Sequence, residues 1–169
     1  VTAANFGGCC AAWAARDLNL PVRLNMHFKD PQRGLGSRPQ YEMTYTAGVD
    51  ANNKLQALDI VIDMACGYNA GDCGFEAGKV VSNIDNCYNC PNFSATVNLY
   101  QGNIAPATSV RGPGWIQSIL YSEMIMNKMA NACSMDPMAF RALNFYKNGD
   151  TAPNNQPITQ CTIDQMWTN

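Results

Sequence analysis

Histidine occurs once in the 169 residues, as His27, and charged residues make up only 14% of the chain. Average soluble domains carry about 25%. Eleven Lys and Arg stand against thirteen Asp and Glu, for a net charge of −2. The basic residues are scattered and form no stripe, which argues against a nucleic-acid partner. No apolar run approaches the roughly 18 residues that a membrane span needs. Neither GxxxxGK[ST] nor GxGxxG occurs, so the common phosphate-binding loops are absent. With one His, a Ser-His-Asp or Cys-His pair would have to use His27, which reads as an ordinary strand residue. Residues 1–8 lack a basic start and an apolar core, so no signal peptide is read there. The first residue is Val, not Met, and the chain reads as a processed product or a piece of something longer.

The composition is 47% hydrophobic, and 169 residues suit a single domain or a fragment of a larger one. A chain of this length can bury roughly 70% of its unfolded surface. Eight cysteines are present. Their even number keeps a secreted, disulfide-bonded binding domain in view. Their placement argues for a reducing, cytoplasmic setting instead. Cys9 and Cys10 are adjacent, and Cys66 and Cys133 sit in apolar runs, where a free Cys acts as a small hydrophobe. Cys87 and Cys90 form a lone CxxC. Zinc needs four ligands and a redox pair favours a helix N-terminus, so a structural role is preferred to metal or redox chemistry. Asn92-Phe93-Ser94 matches a glycosylation sequon, a pattern common by chance.

The apolar pattern predicts mixed elements without βαβ alternation, hence an α+β fold. Residues 1–8 read as a short strand and Cys9–Leu18, rich in Ala, as a helix. Pro21–Phe28 alternates and reads as a strand, followed by a loop over 29–39. Tyr41–Val49 and Leu55–Met64 alternate around the turn residues 50–53, which predicts an antiparallel hairpin. The stretch 67–92 carries no clear period, and Phe93–Leu99 alternates as a strand. Trp115–Ala130 shows a broad apolar helical stripe. Asp136-Pro137 starts a second helix running to about Tyr146, with Asn148-Gly149 beyond it. The polar tail 151–169 is expected to lie over another surface.

Two segments could carry chemistry. Phe6-Gly7-Gly8, read as a strand-to-helix junction, would aim backbone N–H groups at an anion or oxo group. Ser109-Val110-Arg111-Gly112-Pro113-Gly114 places an Arg in a tight loop before a long helix. Its glycines allow close approach of backbone to a ligand, and Arg offers a planar fork. Arg38, in Gly36-Ser37-Arg38-Pro39, is a further candidate cation.

Taken in order, these segments resemble the molybdenum-cofactor domain of the xanthine dehydrogenase and aldehyde oxidase family. Phe6-Gly7-Gly8 before an Ala-rich helix is similar to the end of that family's glycine-rich loop. Leu20-Pro21-Val22-Arg23-Leu24 resembles its G-R-P-V-R strand, and Gly36-Ser37-Arg38-Pro39 its G-R-H-P segment. Lys54-Leu55-Gln56-Ala57-Leu58-Asp59 resembles G-K-I-x-A-L-D. Ile84-Asp85-Asn86-Cys87-Tyr88 with Pro91-Asn92 is similar to M-D-N-x-Y-x-x-P-N, the most specific match. Thr108–Gly114 resembles the T-x-x-R-G/A-x-G loop. Arg141, Asn144, Tyr146, Gly149 and Asp150 fit R-x-x-N-x-Y-x-x-G-D. The likeness covers nearly the whole chain but a small part of a full family member.

The resemblance implies a molybdenum–molybdopterin cofactor held without protein ligands to the metal, protein groups acting from around it. It implies hydroxylation of an aldehyde or N-heterocycle, with oxygen from water and electrons passed to 2Fe-2S clusters and FAD in other parts of the parent chain. Phe6, Gly7, Gly8, Ser109, Val110 and Gly112 would border the cofactor. Arg111 and, less directly, Arg38 would be the catalytic cations, Arg111 stabilising charge on the substrate. Cys87 and Cys90 fall where relatives hold unremarkable residues. Partners implied are the remaining domains or subunits and a second copy in a homodimer. Two departures stand out. Cys9-Cys10 replaces the Lys-Glu pair that commonly follows F-G-G, and Pro113 stands where purine-oxidising members carry an aromatic, which leans toward an aldehyde-oxidase-like or a degenerate pocket. The family's glutamate base lies in a later segment. A chain of 169 residues alone could not complete the reaction, so a degenerate, non-catalytic subunit is the alternative.

Overall fold

The expected hairpin organises the chain. In the computed structural model, which describes residues 2–27, 29–34 and 36–168, β1 (Gln40–Val49) runs antiparallel to β2 (Leu55–Gly67), with Tyr45 opposite Ile60 and Met43 opposite Ile62. Strand β3 (Asn92–Gln101) pairs with β2 in parallel, Ile60 opposite Ala95, giving a three-stranded mixed sheet in the order β1-β2-β3. The period-2 pattern sorts the faces. Tyr41, Met43 and Tyr45 share one face with Ile60, Ile62, Met64, Ala95 and Val97. Glu42, Thr44, Asp63 and Thr96 share the other.

Parallel pairing of β2 and β3 requires a crossover. It contains a helix in the stretch that gave no period, Cys73–Val81. Its glycines hide the signal, but Cys73, Glu76, Ala77 and Val80, spaced as one helical stripe, are its buried residues. A second helix, Trp115–Ala132, packs beside it, and a third, Pro137–Asn144, packs on the second. Asp136 caps the third by accepting from the Met138 and Ala139 N–H groups, each at 2.9 Å. The core joins Ile60 and Ile62 to Val80, Ile84, Ile125, Met126, Phe140 and Phe145.

Several expectations are corrected. Residues 1–8 are not a strand. A single helix, α1, covers Thr2–Leu18. Six Ala in that span outweigh the roughly 1 kcal/mol that each Gly costs a helix. The Phe6-Gly7-Gly8 junction is therefore absent. Residues 21–27 form no strand, because no neighbouring strand offers them a ladder. Instead they fold back on α1, where a Cβ on Gly7 would lie 2.9 Å from Met26 Sδ. Part of the expected loop is a short helix, α2 (Lys29–Gly34), opened by the Asp30 N–H donating to His27 O at 2.9 Å. Counting on from these, the crossover helix is α3, Trp115–Ala132 is α4 and Pro137–Asn144 is α5. Helix α5 stops before the expected Tyr146 because Phe145 is extended and bridges Tyr88. Val1, Phe28, Leu35 and Asn169, within the expected strands, loop and tail, lie outside the described residues.

The α4 stripe is also turned. Trp115, Ile116, Ile119 and Leu120 are exposed, while Gln117, Ser118, Ser122, Ile125, Met126 and Ala130 face inward. Small residues at 118 and 122 suit a close approach to the sheet and α3. The tail does cover another surface. Trp167, on the short helix α6 (Ile163–Thr168), packs edge-on against Phe145 with ring centroids 5.0 Å apart.

Candidate functional site

The loop between β3 and α4 is held from three sides. The Tyr68 N–H donates to Ile104 O at 3.0 Å, the Ala107 N–H to Cys66 O at 2.8 Å and the Thr108 N–H to Ser37 O at 3.0 Å. Arg38 then reaches across 73 residues of sequence, its Nη2 donating to Arg111 O at 2.9 Å and its Nη1 to Gly112 O at 3.3 Å. The Arg38 fork therefore clamps the loop that carries Arg111.

Two glycines make that packing possible. At Gly36, φ is +117°, and a Cβ would lie 2.3 Å from Pro106 O. At Gly114, φ is +76°, and a Cβ would lie 2.7 Å from Glu76 O and 2.8 Å from Lys79 Cβ. Both clashes involve backbone that cannot swing away, so each position excludes any larger residue.

Beneath the loop lies a buried polar group that the sequence did not point to. Glu76 is 1% exposed, and its Oε1 accepts from the Tyr41 hydroxyl at 2.7 Å and from Gln117 Nε2 at 3.0 Å. Burial, and then Glu76, pushes the Tyr41 hydroxyl well above its usual range. Burial pushes the neighbouring Cys73 thiol up to about 12, with Cys66 next to it adding to the effect. Two buried polar atoms here have no hydrogen-bond partner, Ser109 Oγ and Gln117 Oε1. Such atoms are rare and call for a partner, an ordered water or a bound group.

The expected site residues divide. Ser109, Val110, Arg111 and Gly112 share the clamped loop with Arg38 beneath it, and Val110 and Arg111 are exposed. Phe6, Gly7 and Gly8 are elsewhere, inside α1, with Phe6 59% exposed. Among the described residues no hydrogen bond joins residues 2–34 to the loop. Sequence reasoning missed Lys79, whose Cβ abuts Gly114 and whose ammonium lies 5.5 Å from the Phe75 ring centroid. It also missed Tyr41, Glu76 and Gln117. No spacing signal marked them, since they come from three elements, one of them unread.

The other resembling motifs turn out to be architecture, and they bond to one another. The Tyr146 hydroxyl donates to Asp85 Oδ2 at 2.8 Å. Glu123 accepts from Tyr88 at 2.7 Å, Asn86 at 3.1 Å and Arg141 Nε at 2.7 Å. Asn144 accepts from the Leu55 N–H at 2.8 Å. Thus Asp85-Asn86-Cys87-Tyr88 and Arg141-x-x-Asn144-x-Tyr146 form one network. Cys87, at the end of a turn, and Cys90 are free thiols, with burial pushing Cys87 up to about 11. All eight cysteines are free. No group of three or more His, Cys, Asp or Glu able to hold a metal ion occurs among the described residues. Nor is any helix there long and apolar enough to cross a membrane.

Comparison with known proteins then decides the family. The molybdopterin cofactor-binding domain matches residues 2–145. The chain belongs to this family. It is 28% identical over 160 residues to xanthine dehydrogenase of Emericella nidulans, covering 95% of this chain and 12% of that protein. Against aldehyde oxidase 3 of Mus musculus it is 27% identical, covering 93% of this chain and 12% of the other. The chain thus spans about an eighth of the curated relatives' length. The aldehyde oxidoreductase structure from Desulfovibrio desulfuricans superposes with a TM-score of 0.79 at 24% identity, over 92% of this chain and 17% of that one.

Whether the residues of this family member suit the cofactor can be judged from the loop. The exposed Val110 and Arg111 and the unpartnered Ser109 hydroxyl fit one edge of a pterin or a polar substrate. The N–H groups of Gly7 and Gly8 do not fit as an anion cradle, because they lie inside a helix.

Proposed function

We propose that this chain supplies the loop-bearing wall of the molybdenum-cofactor site in an oxidoreductase that hydroxylates aldehydes or N-heterocycles. The observation that carries this reading is the Arg38-clamped loop, with its buried, unpartnered Ser109 hydroxyl and exposed Arg111. When bound, the molybdenum–pterin group supplies the two-electron oxidation of the substrate carbon. Ser109 Oγ and the backbone of Val110 and Gly112 would hydrogen-bond that group. Arg111 would orient the substrate and stabilise negative charge developing on its oxygen or ring nitrogen. Arg38 is a positioning residue, because both of its bonds go to the loop backbone. The 2Fe-2S and FAD centres would belong to other parts of the parent chain. The exposed apolar residues Ile116, Leu120 and Met124 on α4, together with Trp13 and Leu18 on α1, support contact with those parts. We place the protein in the cytoplasm, as a homodimer of the parent chain.

The test uses the full-length protein. Arg111→Ala should lower kcat/KM for an aldehyde substrate by about 10²–10³ with molybdenum content unchanged. Ser109→Ala should lower retained pterin. Full turnover in Arg111→Ala would defeat the assignment of Arg111, and unchanged cofactor content in Ser109→Ala would defeat that of Ser109.

A further inference from the structure

A cavity of about 260 Å³ is lined in part by the hydrogen-bonded pair Asp85 and Tyr146. The turn after α3, the first turns of α4 and the tail around Ala152–Ile158 enclose it. Its polar lining offers acceptors on the side of the turn after α3. Asn83 gives its Nδ2 to Lys79 O at 2.6 Å, and Asn86 gives its Nδ2 to Glu123 at 3.1 Å. Each amide therefore keeps a free Oδ1. Asp85 adds a carboxylate held in place by the Tyr146 hydroxyl. None of the described lining residues is Lys or Arg. Trp115, 53% exposed, supplies an aromatic face beside Ile119. On the tail side, Asn154 is turned the other way, its Oδ1 accepting from the Gln156 N–H at 3.0 Å.

We propose that this cavity binds a small organic cation with an N–H-rich head, a guanidinium or an ammonium. Three features point to it together. The Asn83 and Asn86 amide oxygens can accept from N–H donors, the Asp85 carboxylate supplies negative charge, and the indole face attracts a cation. A neutral heterocycle would use the indole but leave the Asp85 charge with only its hydrogen bonds, chiefly that from Tyr146, to offset burial. Burial pushes the Asp85 carboxyl above its ordinary range, which a bound cation would offset. The site is separate from the loop of Arg111, and the proposal stands whether or not that loop holds the cofactor.

The test is calorimetric titration of the full-length protein with methylguanidinium, with methylurea as its neutral isostere. Saturable binding of methylguanidinium is expected, at least tenfold tighter than methylurea. Asp85→Asn keeps an acceptor for Tyr146 and should weaken binding about tenfold or more. Trp115→Leu, at an exposed position, should weaken it by about 2–30-fold. Should Asp85→Asn fail to fold, Trp115→Leu decides alone. Equal binding of the two probes, no saturation up to about 50 mM, or wild-type affinity in the variants would overturn the proposal.

Discussion

Asn144→Ala offers the sharpest view of how the fold is held. Asn144 is fully buried, and its Oδ1 accepts from the backbone N–H of Leu55, itself 1% exposed, at the first residue of β2. Its Nδ2 donates to Phe140 O at 2.9 Å. The side chain thus ties the end of α5 to the start of the central strand. Truncation leaves the Leu55 N–H orphaned away from water, at about 1–3 kcal/mol. The small void adds about 1 kcal/mol more. A total near 2–4 kcal/mol corresponds to a melting-temperature drop of about 4–16 °C in a domain of this size. Thermal and urea unfolding of wild type and variant measure it directly. A loss below about 1 kcal/mol, or lost activity at unchanged stability, would refute the reasoning. The second outcome would move this asparagine from scaffold to site.

Other consequences can be measured alongside it. Asp85 has a raised folded-state pKa, so the native state binds its proton more tightly than the unfolded chain does. Its contribution to stability therefore falls as pH rises from about 3.8 through that raised value. The wild type should lose ground to Asp85→Asn across that window, and a parallel pair of stability curves would contradict the burial account. Exposed Cys9 and Cys10 should react first with a thiol reagent at pH 8, while buried Cys66 and Cys73 should react only on unfolding. Early labelling of Cys73, pushed up to about 12 by burial, would be inconsistent with its packing. Gly36→Ala should cost about 2 kcal/mol or more and displace the Arg111 loop, seen as lost stability together with lost turnover. Unchanged turnover in that variant would mean the loop tolerates movement.

The sheet was legible because alternation is a direct image of burial. Tyr41, Met43 and Tyr45 do face the same side as Ile60 and Ile62. The start of α5 was legible because Asp136-Pro137 is a local signal with a local cause. Helix α3 was not, since its glycines lower propensity and its stripe of Cys73, Glu76, Ala77 and Val80 acquires meaning only against β2 and α4. The strand expected over 21–27 failed for want of a partner strand, which no alternation can reveal. At the site, the Ser109–Gly114 loop and Arg38 stood out as an Arg between glycines and a second cation, the resemblance gave them roles, and the structure links them through the clamp. Phe6-Gly7-Gly8 was read as a strand-to-helix junction from its glycines, but Ala-rich local propensity made the whole segment helical. The Tyr41–Glu76–Gln117 cluster gathers residues from distant parts of the chain, and only packing brings them together.

The central claim is that the clamped loop meets a molybdenum–pterin group. Metal and pterin analysis of the native full-length protein tests it most directly, with Arg38→Ala beside the wild type. The account predicts about one molybdenum and one pterin per wild-type chain, with lowered occupancy or turnover in the variant. Wild-type protein without molybdenum, or a variant equal to it in both respects, would contradict the account.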